Sequence, residues 1–475
     1  MNAVFTAAEP DTTFWCATAL IDGEPVDAVR VSAGPDGRIR RLQTAAERSV
    51  GDALLGLVLP GFGNAHSHAF HRALRGRTHE TGGDFWHWRR RMYAAATALG
   101  PDSYEELARG VFAEMVTSGY TAVGEFHYLH HRPDGSSWEA PHAMEHALAR
   151  ASRATGLRLS LLDTCYLTAG LGEPLAPEQR GFSDHTAERW LARWFALRKS
   201  LTGFGDTVTL GAALHSVRGV PHTAIKTVLA GLPADVPLHI HLSEQPQENE
   251  DCLREHGLTP TGLLAELGAL TPRLSVVHAT HLTEADVGLL GAAGVTAIYC
   301  PTTEADLGDG IGGARRLTDA GVRLALGSDQ NAVVDPLLEI RGLEYGERLT
   351  SGRRGRFSPA ELIAIATENG YRALGLTGDS TGGLRVGAWC DLVELDAASA
   401  RTTGSTSGQL VLAATASDVR SVIVGGRVVA RNGRLAAGAG VVETNPAALL
   451  RRALAGLDAG ASGRTDRTDR GWSTA

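Results

Sequence analysis

The sequence predicts an α/β fold: a (β/α)8 TIM-like barrel with a small β-sandwich domain built from both ends of the chain. Three observations carry that expectation. Eight short apolar runs alternate with amphipathic helical stretches over roughly 300 residues, the pattern of a barrel. The flanking regions follow another grammar, short alternating runs broken by turn residues. Ionisable residues gather at the ends of the apolar runs, where barrels build their sites.

Residues 1–56 begin the small β domain. Thr13–Ile21, Ala28–Val31 and Arg38–Leu42 read as strands separated by Asp22-Gly23 and Gly34–Gly37. The eight barrel strands follow, over residues 57–379. They are Leu57–Leu59, Thr121–Phe126, Leu157–Leu162, Val208–Leu214, Pro237–Leu242, Leu274–Ala279, Val295–Cys300 and Val322–Gly327. Helical stretches such as Ser103–Val116, Ala187–Leu201 and Pro260–Leu267 lie between them. Short strands return over 380–440, at Leu384–Val386, Cys390–Leu395, Val419–Val424 and Arg427–Val429, with a hairpin at Gly425-Gly426. Residues 441–459 read as a terminal helix. Residues 460–475 are expected to be a disordered tail, because they carry no core-forming pattern.

The formal net charge of −8 argues against a nucleic-acid or anionic-membrane partner. Cys16, Cys165, Cys252, Cys300 and Cys390 are scattered and odd in number, which suits a reducing compartment and no disulfide framework. There is no signal-peptide pattern and no apolar run of the ~20 residues that span a bilayer. A cytoplasmic protein is expected.

The polar residues at the strand ends carry the chemistry. His66 and His68 follow the first apolar run and its Pro60-Gly61 stop. Residues two apart on a strand share a face, so the two imidazoles can form half of a divalent-metal site. Strand two ends in Glu125, His127 and Tyr128; strand four in His215 and Arg218. Strand five carries His239 and His241, then Glu244; strand six ends in His278 and strand eight in Asp329. Each has a bland alternative: His278 as a rim histidine, Asp329 as a helix cap, Arg218 as a rim arginine paired to a carboxylate. His281 and the Glu125–His131 cluster read as rim polarity. It is the joint placement that points to a site, because ionisable groups at the ends of apolar strands are costly unless paired or metal-bound.

The set Pro60-Gly61…His66-Ser67-His68, His241-Leu242-Ser243-Glu244, His278 and Gly327-Ser328-Asp329 resembles the amidohydrolase superfamily. The split β domain and Gly387–Val393 match as well. Two-metal members use a lysine from strand four. None stands there, since Lys199 and Lys226 fall in helices, so the resemblance is to the one-metal deaminase branch. It implies His66, His68, His241 and Asp329 as ligands of one Zn2+, with Fe2+ a possible substitute. His239 is a rival to His241, but its spacing to Glu244 is wrong. Two further stretches, His66–Ala73 running on to Phe85–Arg89 and Glu125–His131, are similar to the branch that deiminates formiminoglutamate.

That branch replaces C=NH by C=O, with release of ammonia, during histidine degradation. The resemblance implies Glu244, His278 and Asp329 as catalytic residues. Asp329 accepts a proton from the attacking water, Glu244 shuttles protons to the leaving nitrogen, and His278 orients the reacting carbon. It implies His71, Tyr128, His215 and Arg218 as contacts for a dicarboxylate amidine, with Arg218 as a bidentate clamp. His71 stands where the branch often has glutamine. The segment Asp84–Tyr93 reads as a lid or a packed helix. A homodimer is implied by the relatives. The rival readings are a one-metal deaminase of a purine, pyrimidine or nucleoside, and a non-catalytic barrel scaffold.

Overall fold

The computed structural model describes residues 11–79, 85–376, 383–437 and 443–468, with the backbone alone at 85–87 and 459–468. Two eight-stranded sheets organise it. The first joins Thr12–Ile21, Glu24–Ala33, Ile39–Gln43 and Ala53–Pro60 with Leu392–Leu395, Val419–Val424, Arg427–Arg431 and Arg434–Leu435. All its pairings are antiparallel except the one between its first and fourth strands. Both ends of the chain therefore build one domain. The sheet curls over a cluster that includes Phe14, Val31, Leu55, Val58, Leu392 and Ile423. Its edge strand Ile39–Gln43 meets the segment leading into Leu392–Leu395 through hydrogen bonds from Ile39 N to Ala388 O and from Cys390 N to Gly37 O. Gly425 and Gly426 both have positive φ, as a two-residue hairpin of this hand requires.

The second sheet is parallel. Its strands are Phe62–Ser67, Tyr120–His127, Arg158–Cys165, Val208–Leu214, Leu238–Leu242, Leu274–His278, Thr296–Tyr299 and Arg323–Leu326, paired in chain order. A bridge between Ser67 and Asp329 brings the last strand back to the first. Asn64 reinforces that seam, donating to Ser328 Oγ at 2.7 Å and accepting from Ser328 N at 3.0 Å. The opposite mouth is plugged by the short helix Glu368–Ala373, which crosses strand one where Gly63 faces Gly370. A Cβ at Gly370 would come within 2.8 Å of the Gly63 carbonyl oxygen.

One expected strand belongs to the other sheet. Leu57–Leu59 is not the first barrel strand. It lies in Ala53–Pro60, parallel to Thr12–Ile21, and the barrel begins after Gly61, at Phe62. The cause is burial on both faces. Leu55 and Val58 face the small cluster, whereas Leu57 and Leu59 pack into the large core with Phe62. Such a strand has the unbroken apolar run of a barrel strand. Leu384–Val386 forms no strand; Gly383 and Gly387, both at positive φ, turn the chain on either side of it. The terminal helix runs Pro446–Thr468, past the end expected at residue 459, and residues 469–475 lie outside the described residues.

Arg158 ties the domains. Its guanidinium pairs with Asp391 at 2.7 and 3.1 Å and lies 3.7 Å over the Trp389 ring, with Arg38 4.0 Å over the same ring. No helix among the described residues is long and apolar enough to cross a membrane. All five cysteines are free and buried.

Candidate active site

Strand ends bring the histidines together. Asp329 N donates to His66 O and His68 N donates to Asp329 O, so the carboxylate of strand eight lies beside both strand-one imidazoles. Asp329 Oδ1 is 3.4 Å from His66 Nε2 and 3.5 Å from His68 Nε2. His241 Nε2, from strand five, is 3.2 Å from His66 Nε2. His239 points elsewhere: its Nε2 donates to Ala373 O at 2.8 Å in the plug. Asp329, Ser243, His278 and Ala279 all have positive φ. Such conformations cost of order 1–3 kcal/mol each and cluster at functional sites.

This donor set fits a divalent cation. His68 Nδ1 donates to Phe126 O at 2.8 Å and His241 Nδ1 to His215 O at 2.9 Å, which turns both Nε2 lone pairs inward. Burial keeps the imidazoles neutral. His66 and His241 are held well below the ordinary range, and neighbouring imidazoles add to the effect; His68 is brought down to about 3. Atoms bound tetrahedrally at about 2.0–2.1 Å stand roughly 3.4 Å apart, close to the spacings found here. Two inward lone pairs and a carboxylate at such range repel one another unless a cation lies between them.

His278 stands at the edge of this group. Its Nε2 is 3.9 Å from Asp329 Oδ2 and 4.0 Å from Glu244 Oε1, and its Nδ1 donates to Glu304 Oε1 at 3.4 Å. Burial pulls its pKa down. The Glu304 hydrogen bond and the charges of Glu244 and Asp329 outweigh that and raise it to about 10.

A cavity of about 60 Å³ opens beside these residues. Its wall includes His71, Tyr128, His215 and Arg218, so every residue expected at the site except His66 lines it. His71 Nε2 is 3.1 Å from Tyr128 OH. Burial depresses the pKa of both His71 and His215 well below the ordinary range, through neighbouring imidazoles at His71 and Arg218 at His215. The helix Phe85–Ala98 contributes Trp88, Arg89, Met92 and Tyr93 to the same wall, and Trp88 Nε1 donates to Gln330 at 2.8 Å. The expected lid segment is thus a helix packed over the site from Phe85 onward; Asp84 lies outside the described residues. A larger cavity of about 430 Å³ lies around Arg158 and Trp389. That is the end where the strands begin, the wrong end of a barrel for chemistry.

A second histidine group sits behind the site. Glu125, His127 and His130 are buried, not rim residues as the sequence suggested. Glu145 Oε1 accepts from His130 Nδ1 at 2.9 Å and lies 3.4 Å from His127 Nε2. His130 Nε2 donates to Thr164 O at 2.9 Å, so both ring nitrogens face acceptors and the ring is an imidazolium. Arg193 completes the cluster, bidentate on Asp163 at 2.8 Å, 3.2 Å from Glu145 and 2.9 Å from Asp184. Here a guanidinium supplies the charge that compensates the buried carboxylates.

Sequence reasoning missed Glu304 behind His278 and several residues of the pocket wall. Glu304 sits in the first turn of Pro301–Leu307, after a strand seven that offered no ionisable end. Its signal was an acidic residue three past a helix-opening proline. Arg89 lay in the Phe85–Arg89 stretch but was given no role of its own, and Tyr166, just past strand three, and Phe182 were passed over because an aromatic residue there reads as core. His281 is half-buried and its Nε2 donates to Asp309 O at 2.9 Å.

The sequence matches the amidohydrolase family over residues 57–429. The chain belongs to that family. Among its relatives, a formimidoylglutamate deiminase of Pseudomonas aeruginosa is 37% identical over 86% of this chain and 92% of its own length. A 5-methylthioadenosine/S-adenosylhomocysteine deaminase of Halobacterium salinarum is 28% identical over 89% of this chain and 90% of its own. In structure, an amidohydrolase from Brucella melitensis superposes with a TM-score of 0.86 at 31% identity, covering 94% of this chain and 99% of that one. The chain is a metal-dependent hydrolase by family, with buried His and Asp groups of metal-ligand type.

Proposed function

We propose that the chain hydrolyses N-formimino-L-glutamate to N-formyl-L-glutamate and ammonia. The observation that carries this reading is one small pocket in which a His–Asp donor set faces the guanidinium of Arg218, with Arg89 on the same wall. Two cations suit a substrate with two carboxylates, and the 37% identity to the Pseudomonas enzyme supports the same substrate.

His66, His68, His241 and Asp329 would hold one zinc ion, with iron a possible substitute. When bound, the ion supplies water activation near neutral pH and polarises the substrate. The chain's own groups do the rest. Asp329 turns Oδ1 toward His66 and His68, which leaves Oδ2 to accept the proton of the attacking water. Glu244 gives a proton to the imine nitrogen. His278, held by Glu304, steadies the oxygen as the carbon becomes tetrahedral. Asp329 passes its proton to the resulting amine as its C–N bond breaks, so that it departs as ammonia, and Glu244 recovers a proton from the hydroxyl that becomes the carbonyl. Arg218, Tyr128, His215 and His71 bind and orient the dicarboxylate.

The reading includes a homodimer, a cytoplasmic site of action and a step in histidine breakdown. The test is to incubate the purified protein with N-formimino-L-glutamate and identify the product. N-Formylglutamate and ammonia are expected. Glutamate with formamide, or ammonia from guanine or adenosine in preference, would replace this reading with another. Metal analysis should find one zinc per chain, and light scattering a dimer.

A further inference from the structure

One guanidinium stands between two carboxylates at the pocket edge. Arg218 Nε is 3.2 Å from Glu248 Oε2, and Arg218 Nη2 is 3.3 Å from Glu244 Oε2. Glu248 lies in the first turn of the helix Pro246–His256 with its side chain wholly buried, and its Oε1 has no hydrogen-bond partner. Burying a carboxylate is costly, and among the described residues Arg218 is its one ion-pair partner. No step above uses Glu248. Its effect is geometric. With Nε engaged by Glu248, Arg218 turns its Nη groups to the pocket, and in the free chain Glu244 takes Nη2, which any two-point grip on that edge needs. Glu244 is then turned to the guanidinium, with its other oxygen 4.0 Å from His278 Nε2, beyond hydrogen-bond reach.

We propose that Glu248 is a positioning residue which presents Arg218 so that Glu244 and a substrate carboxylate compete for one Nη edge, and that arrival of the carboxylate releases Glu244 toward the reacting nitrogen. The inference rests on the reading that Glu244 moves protons and that the substrate carries a carboxylate. It makes the carboxylate part of the turnover step as well as of binding. An amidine without one should bind weakly and also react slowly once bound, because Glu244 stays on Arg218. A carboxylate supplied separately should restore the release.

The test uses the metal-loaded enzyme, N-methylformamidine as the truncated substrate, and propionate as the separate carboxylate. Propionate should raise kcat for N-methylformamidine saturably, by about tenfold in the range of a proton-transfer group brought into play, and should do nothing for Arg218→Gln. Glu248→Gln should raise KM for N-formimino-L-glutamate about tenfold and lower kcat severalfold with metal content unchanged, and Glu248→Asp should recover part of the loss. Absence of propionate activation in the unmodified enzyme overturns the proposal, and that measurement stands even if neither variant folds. An enzyme that releases no ammonia from N-formimino-L-glutamate fails earlier, on the functional reading itself.

Discussion

Two buried histidine clusters lie within one barrel, and they are neutralised in opposite ways. At the mouth, His66, His68 and His241 aim inward with Asp329, and among the described residues no Arg or Lys pairs with that carboxylate; only His278, 3.9 Å away, stands beside it. Behind strands two and three, Glu145, Asp163 and Asp184 pair with Arg193, and His127 and His130 lie against Glu145. Similar residue types therefore mean different things. What separates a metal-type site from a structural ion network is where the compensating charge comes from. The second cluster lies beside a wall of the pocket. It fastens the loop carrying Tyr128, since His130 N and His131 N both donate to Gly181 O and Phe182 packs 5.1 Å from the Tyr128 ring.

The largest expected effect tests the first cluster. Asp329→Asn should cost about 10²–10⁴-fold in turnover, and dialysis against a chelator should remove both activity and one metal per chain. Two metals per chain would mean that Arg193 does not close the second cluster. Next, Arg193→Met should lower stability by about 3–5 kcal/mol, because it strands buried carboxylates. Thermal melting would show the loss, and the folded fraction should still hold its metal.

One histidine from each cluster, His130 and His68, should also respond to pH with opposite sign. Burial and nearby Arg193 act to lower the pKa of His130, but Asp163 and Glu145 outweigh them and raise it. A raised folded-state value gives stability that is full below about 6.5 and fades as pH climbs through the folded value. The advantage of the native protein over His130→Gln, ~1–3 kcal/mol from a charged hydrogen bond, should therefore shrink in alkaline buffer. His68 runs the other way. Its value falls to about 3 in the metal-free fold, so metal-free protein should lose stability as pH drops from about 6.5 toward 3. Parallel pH trends for these two histidines would defeat the comparison. The smallest effect belongs to the domain seam. Trp389→Leu removes the ring under Arg38 and Arg158 and should cost about 1–2 kcal/mol in denaturant melts, with turnover unchanged.

Much of this architecture was legible in the residues. Val208–Leu214 was readable to its ends because turn residues bound a clean apolar run. His66, His68, His241, His278 and Asp329 could be grouped because a barrel brings strand ends to one rim. What failed needed knowledge of partners. Leu57–Leu59 looked like a barrel strand because both its faces are covered, one by each domain. Glu125–His131 looked solvated because Arg193, the group that lets it stay buried, comes more than sixty residues later. Glu248 was invisible for the same reason: a buried carboxylate has meaning only beside Arg218.

The passage from Ala53–Pro60 through Gly61 into Phe62–Ser67 has a consequence for anyone trimming this protein. The polypeptide that presents His66 and His68 is clamped upstream in a sheet, between Thr12–Ile21 on one side and Leu392–Leu395 on the other. Excising a minimal catalytic core at the family boundary, residue 57, would cut that clamp in half. Such a fragment should lose its grip on the ion well before its helices melt, so a workable minimal enzyme must keep both termini.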